Sequence, residues 1–187
     1  MAYLTDSELR NMGFAALGAN VKISTRASIY EPEKMALGDN CRIDDFCVVS
    51  GKLAFGRNVY IGPFGLIAGG RPGIVFADFT TLAYRVSIFS QSDDYSGATM
   101  ANPTVAAEYK QEIEAEVRLG RHSIVGAGST VMPGVELGEG TAIGAMSLVM
   151  GSTDPWTIHA GSPARKIRDR KTGALEREAQ LIAAERG

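Results

Sequence analysis

From Leu119 to Val149 the chain repeats every six residues, and an aliphatic residue opens each repeat. The aliphatic positions are Leu119, Val125, Val131, Leu137, Ile143 and Val149. The residue two places before each of them is small or β-branched. An α-helix repeats every 3.6 residues and a simple strand every two, so neither explains this spacing. A strict period of six is the signature of a parallel β-helix built from short stacked strands.

The side-chain pattern predicts how each coil is built. Residues two apart on a strand share a face, so each aliphatic residue and the small residue before it are expected to point inward. Three such strands would form a triangular coil, and coils would stack about 4.8 Å apart through backbone hydrogen bonds. Glycine directly follows several of the aliphatic residues, as at Gly120 and Gly126, where we expect it to ease a tight bend. The same register begins at Val21–Ile23, and the inward residues counted up to Ile158 predict about six coils.

The predicted fold is therefore all-β, with departures from the period in three places. Thr5-Asp-Ser-Glu8 resembles a capping box and predicts a helix over 5–17, within an N-terminal cap of residues 1–20. The β-helix domain is assigned to residues 21–168, from which one long loop protrudes at about 89–116. Long excursions from a strict repeat are typical of functional loops. Residues 169–187 are assigned to a C-terminal helix.

Composition and charge limit the classes of function that the chain can have. The formal net charge of −2 argues against nucleic acid as a partner. No apolar run approaches the roughly 18 residues that a membrane span needs, and no signal peptide is visible, so a cytoplasmic protein is expected. Cys41 and Cys47 occupy small inward positions, where core filling is favoured over a metal or a disulfide. The only histidines, His122 and His159, have no cluster of further ligands near them in the sequence, so no metal is expected.

Three further motifs carry a resemblance to a known superfamily. Together with the hexads, Pro133–Val135, Gly144–Val149 and His159–Ile167 (HAGSPARKI) resemble the hexapeptide-repeat acyltransferases. Over roughly residues 20–170 the chain is similar to the galactoside and maltose O-acetyltransferases and to bacterial sugar acetyltransferases of surface-polysaccharide synthesis. This resemblance implies a left-handed β-helix, a homotrimer, and acetyl-CoA bound in a groove between neighbouring chains.

The resemblance also implies which residues would hold the co-substrate. The backbones of Ala127 and Ala145 would line the pantetheine arm of acetyl-CoA, because small side chains let a ligand approach the main chain. Arg165 and Arg168 would meet the CoA phosphates, for which the planar guanidinium is well suited.

The chain departs from the superfamily at the general base. The family's histidine would follow the strand that ends at Ile88, but Gln91 stands at that place, and glutamine cannot accept a proton. Three alternatives remain open. His122 could serve as the base from a corner that points outward beside the CoA groove, because histidine as a residue type titrates near neutral pH. Asp93 or Asp94 could act as the base or orient His122, or the acceptor could be an amine, for which positioning supplies most of the acceleration.

The resemblance thus implies an acetyl-CoA-dependent acetyltransferase that acts on a sugar hydroxyl by direct attack on the thioester. The alternative within enzymology is N-acetylation of a nucleotide-linked amino sugar, and the alternative of another class is a non-catalytic scaffold. His122 and Asp93 are the candidate catalytic residues. The candidate substrate-binding residues, all in the loop, are Gln91, Asp94, Tyr95 and Asn102.

Overall fold

A computed structural model describes residues 2–185 as a column with three faces, each of them a parallel sheet. The first face contains Ala16–Leu17, Met35–Leu37, Leu53–Phe55, Ile74–Phe76, Val117–Leu119 and Glu136–Leu137. The second face contains Lys22–Ile23, Arg42–Ile43, Tyr60–Ile61, Thr81–Leu82, Ile124–Val125, Ala142–Ile143 and Thr157–Gly161, with Ala164–Asp169 antiparallel at its end. The third face contains Ser28–Tyr30, Val48–Ser50, Leu66–Ala68, Ser87–Phe89, Thr130–Val131 and Leu148–Val149. The parallel β-helix is confirmed, and its left-handed winding stays a prediction of the resemblance.

The residues predicted to point inward form the core. The aliphatic residues from Leu119 to Val149 are each at most 3% exposed. The hydroxyl group of Ser147, in a small inward position, donates to the carbonyl oxygen of Gly144 at 2.7 Å, so this polar group is satisfied inside the column. Cys41 and Cys47 are buried free thiols, and burial raises the pKa of both. Their predicted role as core residues is confirmed.

In the regular coils from Leu119 to Val149, each tight bend lies three residues after the aliphatic residue rather than directly after it. His122, which follows Leu119 at this distance, has a φ of 59°. The glycine directly after the aliphatic residue has a different purpose from the one predicted. A Cβ atom added to Gly126 would lie 2.5 Å from the backbone nitrogen of Ala145 in the next coil. These glycines therefore allow neighbouring coils to stack closely.

The N-terminal helix is shorter than predicted. Helix α1 spans Asp6–Asn11, and the capping box is present, since the Thr5 hydroxyl accepts from Glu8 and the Glu8 carboxylate accepts from the Thr5 amide at 2.7 Å. The prediction of helix through residue 17 is wrong. Ala16–Leu17 instead pairs with Ala36–Leu37 and starts the first coil.

The C-terminal helix is present as α2, Gly173–Glu185; the predicted segment's last two residues lie outside the described part. The strand Ala164–Asp169 precedes it, so residue 169 is not helical.

In the last coil, one residue predicted to point inward is replaced by its neighbour. His159 rather than Ile158 pairs with Ile143, so the histidine stacks on the aliphatic column and Ile158 is only half-buried. Neither helix in residues 2–185 is long and apolar enough to cross a membrane.

The protruding loop begins and ends as a two-stranded antiparallel hairpin, Gln91–Asp93 with Glu112–Glu114. Short 3-10 turns occur at Pro32–Lys34 and, within the loop, at Ala107–Tyr109. The hairpin leaves the column between the third and first faces, and we call this corner the loop edge. The corner between the first and second faces, where His122 lies, is the helix edge. The corner between the second and third faces, where Ala127 lies, is the alanine edge.

Candidate active site

A cavity of about 520 Å³ opens at the loop edge, between the hairpin and the third face. Its lining residues are Phe89, Gln91, Ser92, Asp93, Tyr95, Pro103, Glu112, Thr130 and Met132. The column supplies one wall of this cavity, and the six-residue repeat explains which residues form it. Ile88 and Val131 pair with each other and point inward, so the residues that follow them, Phe89 and Met132, face outward on adjacent coils.

Gln91 ties the base of the hairpin to the column. Its Oε1 atom accepts from the Arg71 amide at 3.2 Å, and its Nε2 atom donates to Glu114 at 2.6 Å and to Glu112 at 3.3 Å. The Arg71 guanidinium also donates to Glu114 at 2.7 Å. Both ends of the Gln91 amide are thus engaged, so this residue fixes the geometry of the cavity.

Asp93 is the carboxylate in this cavity that is left for a ligand. Within residues 2–185, no hydrogen bond or ion pair involves its side-chain oxygens. Glu112 lies opposite it in the hairpin but is engaged, since Lys110 donates to its carboxylate at 3.0 Å and lowers its pKa. A carboxylate without a protein partner can accept a hydrogen bond or a proton from a bound substrate.

The other predicted loop residues divide into two groups. Tyr95 lines the cavity and is 88% exposed. Asp94 turns away and caps its own loop, accepting from the Ser96 amide at 2.8 Å, and hydrogen bonding from Ser96 lowers the pKa of Asp94. Asn102 likewise closes a local turn by accepting from the Thr104 amide at 2.9 Å. The structure thus brings Gln91, Asp93 and Tyr95 into one cavity, whereas the other two residues shape the loop.

His122 lies on the helix edge, beneath α2. Its Nε2 atom is 2.8 Å from a carboxylate oxygen of Glu178, and its ring stacks on Phe79 with centroids 5.2 Å apart. Arg121 also pairs with Glu178, and the His122 side chain is only 9% exposed. His122 lies at a corner of the column, as expected, but α2 covers its side chain instead of leaving it exposed. Within one chain it lies on a different corner from Asp93, and its role as the base stays a prediction.

The residues expected to hold CoA lie along the alanine edge and the final hairpin. Ala127 is half-buried and Ala145 is exposed, and they occupy successive coils, since the Met146 amide donates to the Ala127 carbonyl at 2.8 Å. Arg165 and Arg168 are both exposed on the strand Ala164–Asp169. The groove that the resemblance implies lies between neighbouring chains, so one chain would supply only one of its walls. Within residues 2–185 no cluster of three metal-binding side chains occurs.

Sequence reasoning missed several of the residues that build these sites. Phe89, Thr130 and Met132 line the cavity, and the hexad register already places them next to the loop exit. Glu112 and Glu178 carried no such signal, because their positions depend on how the loop folds back and how α2 docks.

Comparison with known proteins identifies relatives over nearly the whole length of the chain. It is 41% identical over 181 residues to the dTDP-4-amino-4,6-dideoxy-D-glucose acyltransferase of Escherichia coli, covering 95% of this chain and 94% of that one. The crystal structure of AntD, an N-acyltransferase from Bacillus cereus in complex with dTDP and 3-hydroxybutyryl-CoA, superposes with a TM-score of 0.97 at 39% identity, covering 99% and 98% of the two chains. A variant of AntD bound to dTDP-4-amino-4,6-dideoxyglucose and coenzyme A gives a TM-score of 0.96 at 40% identity over 97% of each chain. No family model matches the chain.

The column of hexad coils and these relatives define the class, an acyltransferase of the hexapeptide-repeat type that uses acyl-CoA as co-substrate. Within that class the chain belongs to the same family as the E. coli acyltransferase and AntD. The predicted superfamily, enzyme class and co-substrate are confirmed. For the acceptor, these relatives support the alternative, N-acylation of a nucleotide-linked amino sugar, better than the main prediction of acetylation of a sugar hydroxyl.

Proposed function

We propose that this enzyme transfers an acyl group from acyl-CoA to the amine of a dTDP-linked amino sugar, with Asp93 as the proton acceptor. The observation that carries the assignment is the carboxylate of Asp93, which faces the loop-edge cavity with no partner within residues 2–185. The relatives named above act on or bind a sugar of this kind, which supports the choice of acceptor.

The chemistry follows from what an amine needs in order to attack a thioester. A neutral amine is a good nucleophile once it is positioned, and the nitrogen becomes strongly acidic as it bonds to the carbonyl carbon. In our proposal Asp93 first holds the amine by a charge-assisted hydrogen bond and then takes the proton that the nitrogen loses. The new C–N bond forms, the C–S bond breaks, and the CoA sulfur leaves and acquires a proton.

We further propose that the enzyme is a homotrimer in which CoA lies between two chains at the alanine edge. Apolar side chains are exposed along this edge and on the third face beside it, including Phe46, Phe64, Met146 and Met150, which are 48–76% exposed. Exposed apolar surface of this kind favours burial in an interface. Light scattering should give three times the chain mass of 19.9 kDa, and a monomer would contradict the arrangement.

The acceptor is tested by mass spectrometry. Incubation with acetyl-CoA or 3-hydroxybutyryl-CoA should add one acyl group to dTDP-4-amino-4,6-dideoxyglucose and none to the corresponding sugar with a hydroxyl at C4. Acylation of the hydroxyl sugar at an equal rate would contradict the proposal and restore O-acetylation.

A further inference from the structure

Two carboxylates face each other across the hairpin at the base of the protruding loop. The strands Gln91–Asp93 and Glu112–Glu114 are antiparallel, and their register places Asp93 directly opposite Glu112. Both side chains line the loop-edge cavity; among residues 2–185 the only other titratable side chain in its lining is Tyr95, and the column contributes uncharged side chains. Residues opposite each other on neighbouring strands have Cβ atoms about 5 Å apart, and like charges at such a pair repel. An ionised Asp93 is therefore repelled by Glu112 unless Glu112 is itself neutralised.

Lys110 supplies that neutralisation. Its Nζ atom donates to Oε1 of Glu112 at 3.0 Å, and the lysine side chain is only 10% exposed. An ion pair that is largely covered by protein is screened less by salt and water than one on the open surface. Hydrogen bonding from Lys110 is the largest cause of the lowered pKa of Glu112, and Arg71 and Gln91 contribute less.

The fold of the loop holds Lys110 in this place. Its amide donates to the Ala107 carbonyl at 3.1 Å, where the 3-10 turn Ala107–Tyr109 ends, and the Met100 amide donates to the Tyr109 carbonyl at 3.0 Å. The chain is extended from Lys110 onward, so this lysine and Glu112, two residues apart, lie on the same side of it. The ammonium group is thus set against the hairpin by the backbone of the loop.

The charges of the hairpin then balance except at one residue. Arg71 pairs with Glu114 and Lys110 pairs with Glu112, so each glutamate of the second strand has its own cation. Asp93, on the first strand, has no ion pair within residues 2–185. The negative charge that the hairpin presents to the cavity therefore belongs to Asp93.

From this arrangement we infer that Lys110 is a positioning residue of the active site, which acts on Asp93 through Glu112. The inference rests on the proposed function and adds the residue that keeps the proton acceptor ionised. Without Lys110 the two opposed carboxylates would share the cavity unneutralised. The charge of Glu112 would then favour the protonated form of Asp93, which cannot take a further proton from an amine.

Lys110→Met is the test, because methionine keeps an unbranched side chain without the charge. We expect the acidic limb of the pH profile of turnover, measured with acyl-CoA and the dTDP-linked amino sugar at saturation, to move upward by about one pH unit. Turnover above that limb and the KM for acyl-CoA should stay within threefold. Adding Glu112→Gln to Lys110→Met should return the limb to its wild-type position, since the repelling charge is gone.

Two controls separate this effect from a loss of structure. Lys110→Arg keeps the charge and should leave the limb in place. Lys22→Met removes an exposed lysine from the second face, so it makes the same change in net charge and should not move the limb. If Lys110→Met lowers turnover equally at every pH, or if the double variant is no better than the single one, the inference is overturned.

A second measurement needs no turnover and separates the inference from the proposed function. At pH 7, Asp93→Asn should raise the thermal midpoint of Lys110→Met by about 2 °C, because it relieves the repulsion, and should change that of the wild type little. If this difference is found but the wild type acylates no amino sugar, the proposed function fails and the coupling of the three charges stands. If the wild type acylates the amino sugar but neither the limb nor the midpoint depends on Lys110, the proposed function stands and the inference fails.

Discussion

The loop edge and the helix edge are corners of the same column, and both collect charged side chains, but they use them differently. At the helix edge the charges are paired with each other, because Glu178 from α2 contacts both Arg121 and His122 and the histidine ring is stacked on Phe79. At the loop edge the hairpin neutralises Glu112 and Glu114 but leaves Asp93 facing a cavity. One corner is closed by internal pairing, and the other retains charge for a ligand.

The difference shows that the type of a titratable residue does not decide its role. Histidine has the more suitable pKa for a general base near neutral pH, and aspartate has a less suitable one. Tertiary contacts nevertheless bury His122 under a helix and leave Asp93 open. The absence of a partner for Asp93 within residues 2–185 is therefore the ground on which we propose Asp93 rather than His122 as the proton acceptor.

The largest expected effect comes from Asp93→Asn. The amide keeps the shape of the side chain but cannot accept a proton, so we expect turnover to fall by about 10²–10⁴. The thermal midpoint should change little, because the carboxylate makes no hydrogen bond or ion pair within residues 2–185 that the amide would break. Steady-state kinetics with the dTDP-linked amino sugar and thermal unfolding measure the two quantities.

The adjacent residue supplies the control for that experiment. Asp94→Asn removes the same charge one position away, but Asp94 caps its own loop through Ser96 and Thr99. We expect it to lower turnover less than tenfold. A larger loss for Asp94→Asn than for Asp93→Asn would show that the base is the residue at the loop turn.

His122→Ala tests whether the helix edge stabilises the fold and takes no part in catalysis. Removing a buried ring that packs on Phe79 and contacts Glu178 should lower the free energy of unfolding by about 2–3 kcal/mol. Turnover measured below the unfolding range should stay within a few-fold. If the stability is unchanged and turnover falls by about 10²–10⁴, His122 is the base, as the sequence suggested, and the helix edge belongs to the active site.

The regular part of the molecule could be predicted because its rule is local. Each coil repeats the same inward pair, so Leu119–Val149, the two buried cysteines and the position of the loop follow from spacing alone. The failures occur where a distant contact overrides a local signal. Ala16–Leu17 continues a helical pattern after Leu9, yet pairing with the next coil makes it a strand. The last inward position shifts from Ile158 to His159, because the irregular turn before it changes the register.

The candidate site was predicted only in part, for the same reason. Asp93, Gln91 and Tyr95 share a cavity because a hairpin exit keeps near neighbours together. The contact between His122 and Glu178 joins residues 56 positions apart. Nothing in a six-residue period indicates where a terminal helix will dock, so the burial of His122 could not be foreseen.

A smaller effect is expected at the two arginines that follow Ile167. Arg168 is exposed and its guanidinium makes no hydrogen bond to another residue in the described range, whereas Arg170 donates to the carbonyl groups of His122 and Gly140 at 2.9 and 2.8 Å. Arg168→Gln should raise the KM for acyl-CoA about tenfold at unchanged turnover, because the contact with a CoA phosphate that the resemblance implies would be lost. Arg170→Gln should instead lower the thermal midpoint and leave the KM unchanged. Equal effects of both changes on the KM would place the helix edge next to CoA.

The smallest expected effect is a pH dependence of stability that originates at the helix edge. Arg121, and then His122, lower the pKa of the Glu178 carboxyl below its ordinary value of 4.5. A carboxyl whose pKa is lowered by folding stabilises the folded state fully above its unfolded pKa and loses that contribution as the pH falls through the folded pKa. Glu178→Gln should therefore cost about 1 kcal/mol at pH 7 and almost nothing once the pH is below both values.

Urea unfolding at pH 7 and at the lowest pH at which the wild type stays folded measures this difference. Glu176→Gln, an exposed carboxylate in the first turn of α2, is the matched control and should have little effect at either pH. Turnover at pH 7 should be unchanged in both variants, because α2 stabilises a corner that is separate from the loop edge. If Glu178→Gln costs the same at both pH values, packing rather than charge holds α2 on the column. The helix edge would then differ from the loop edge because α2 packs over it, and not because its charges are paired.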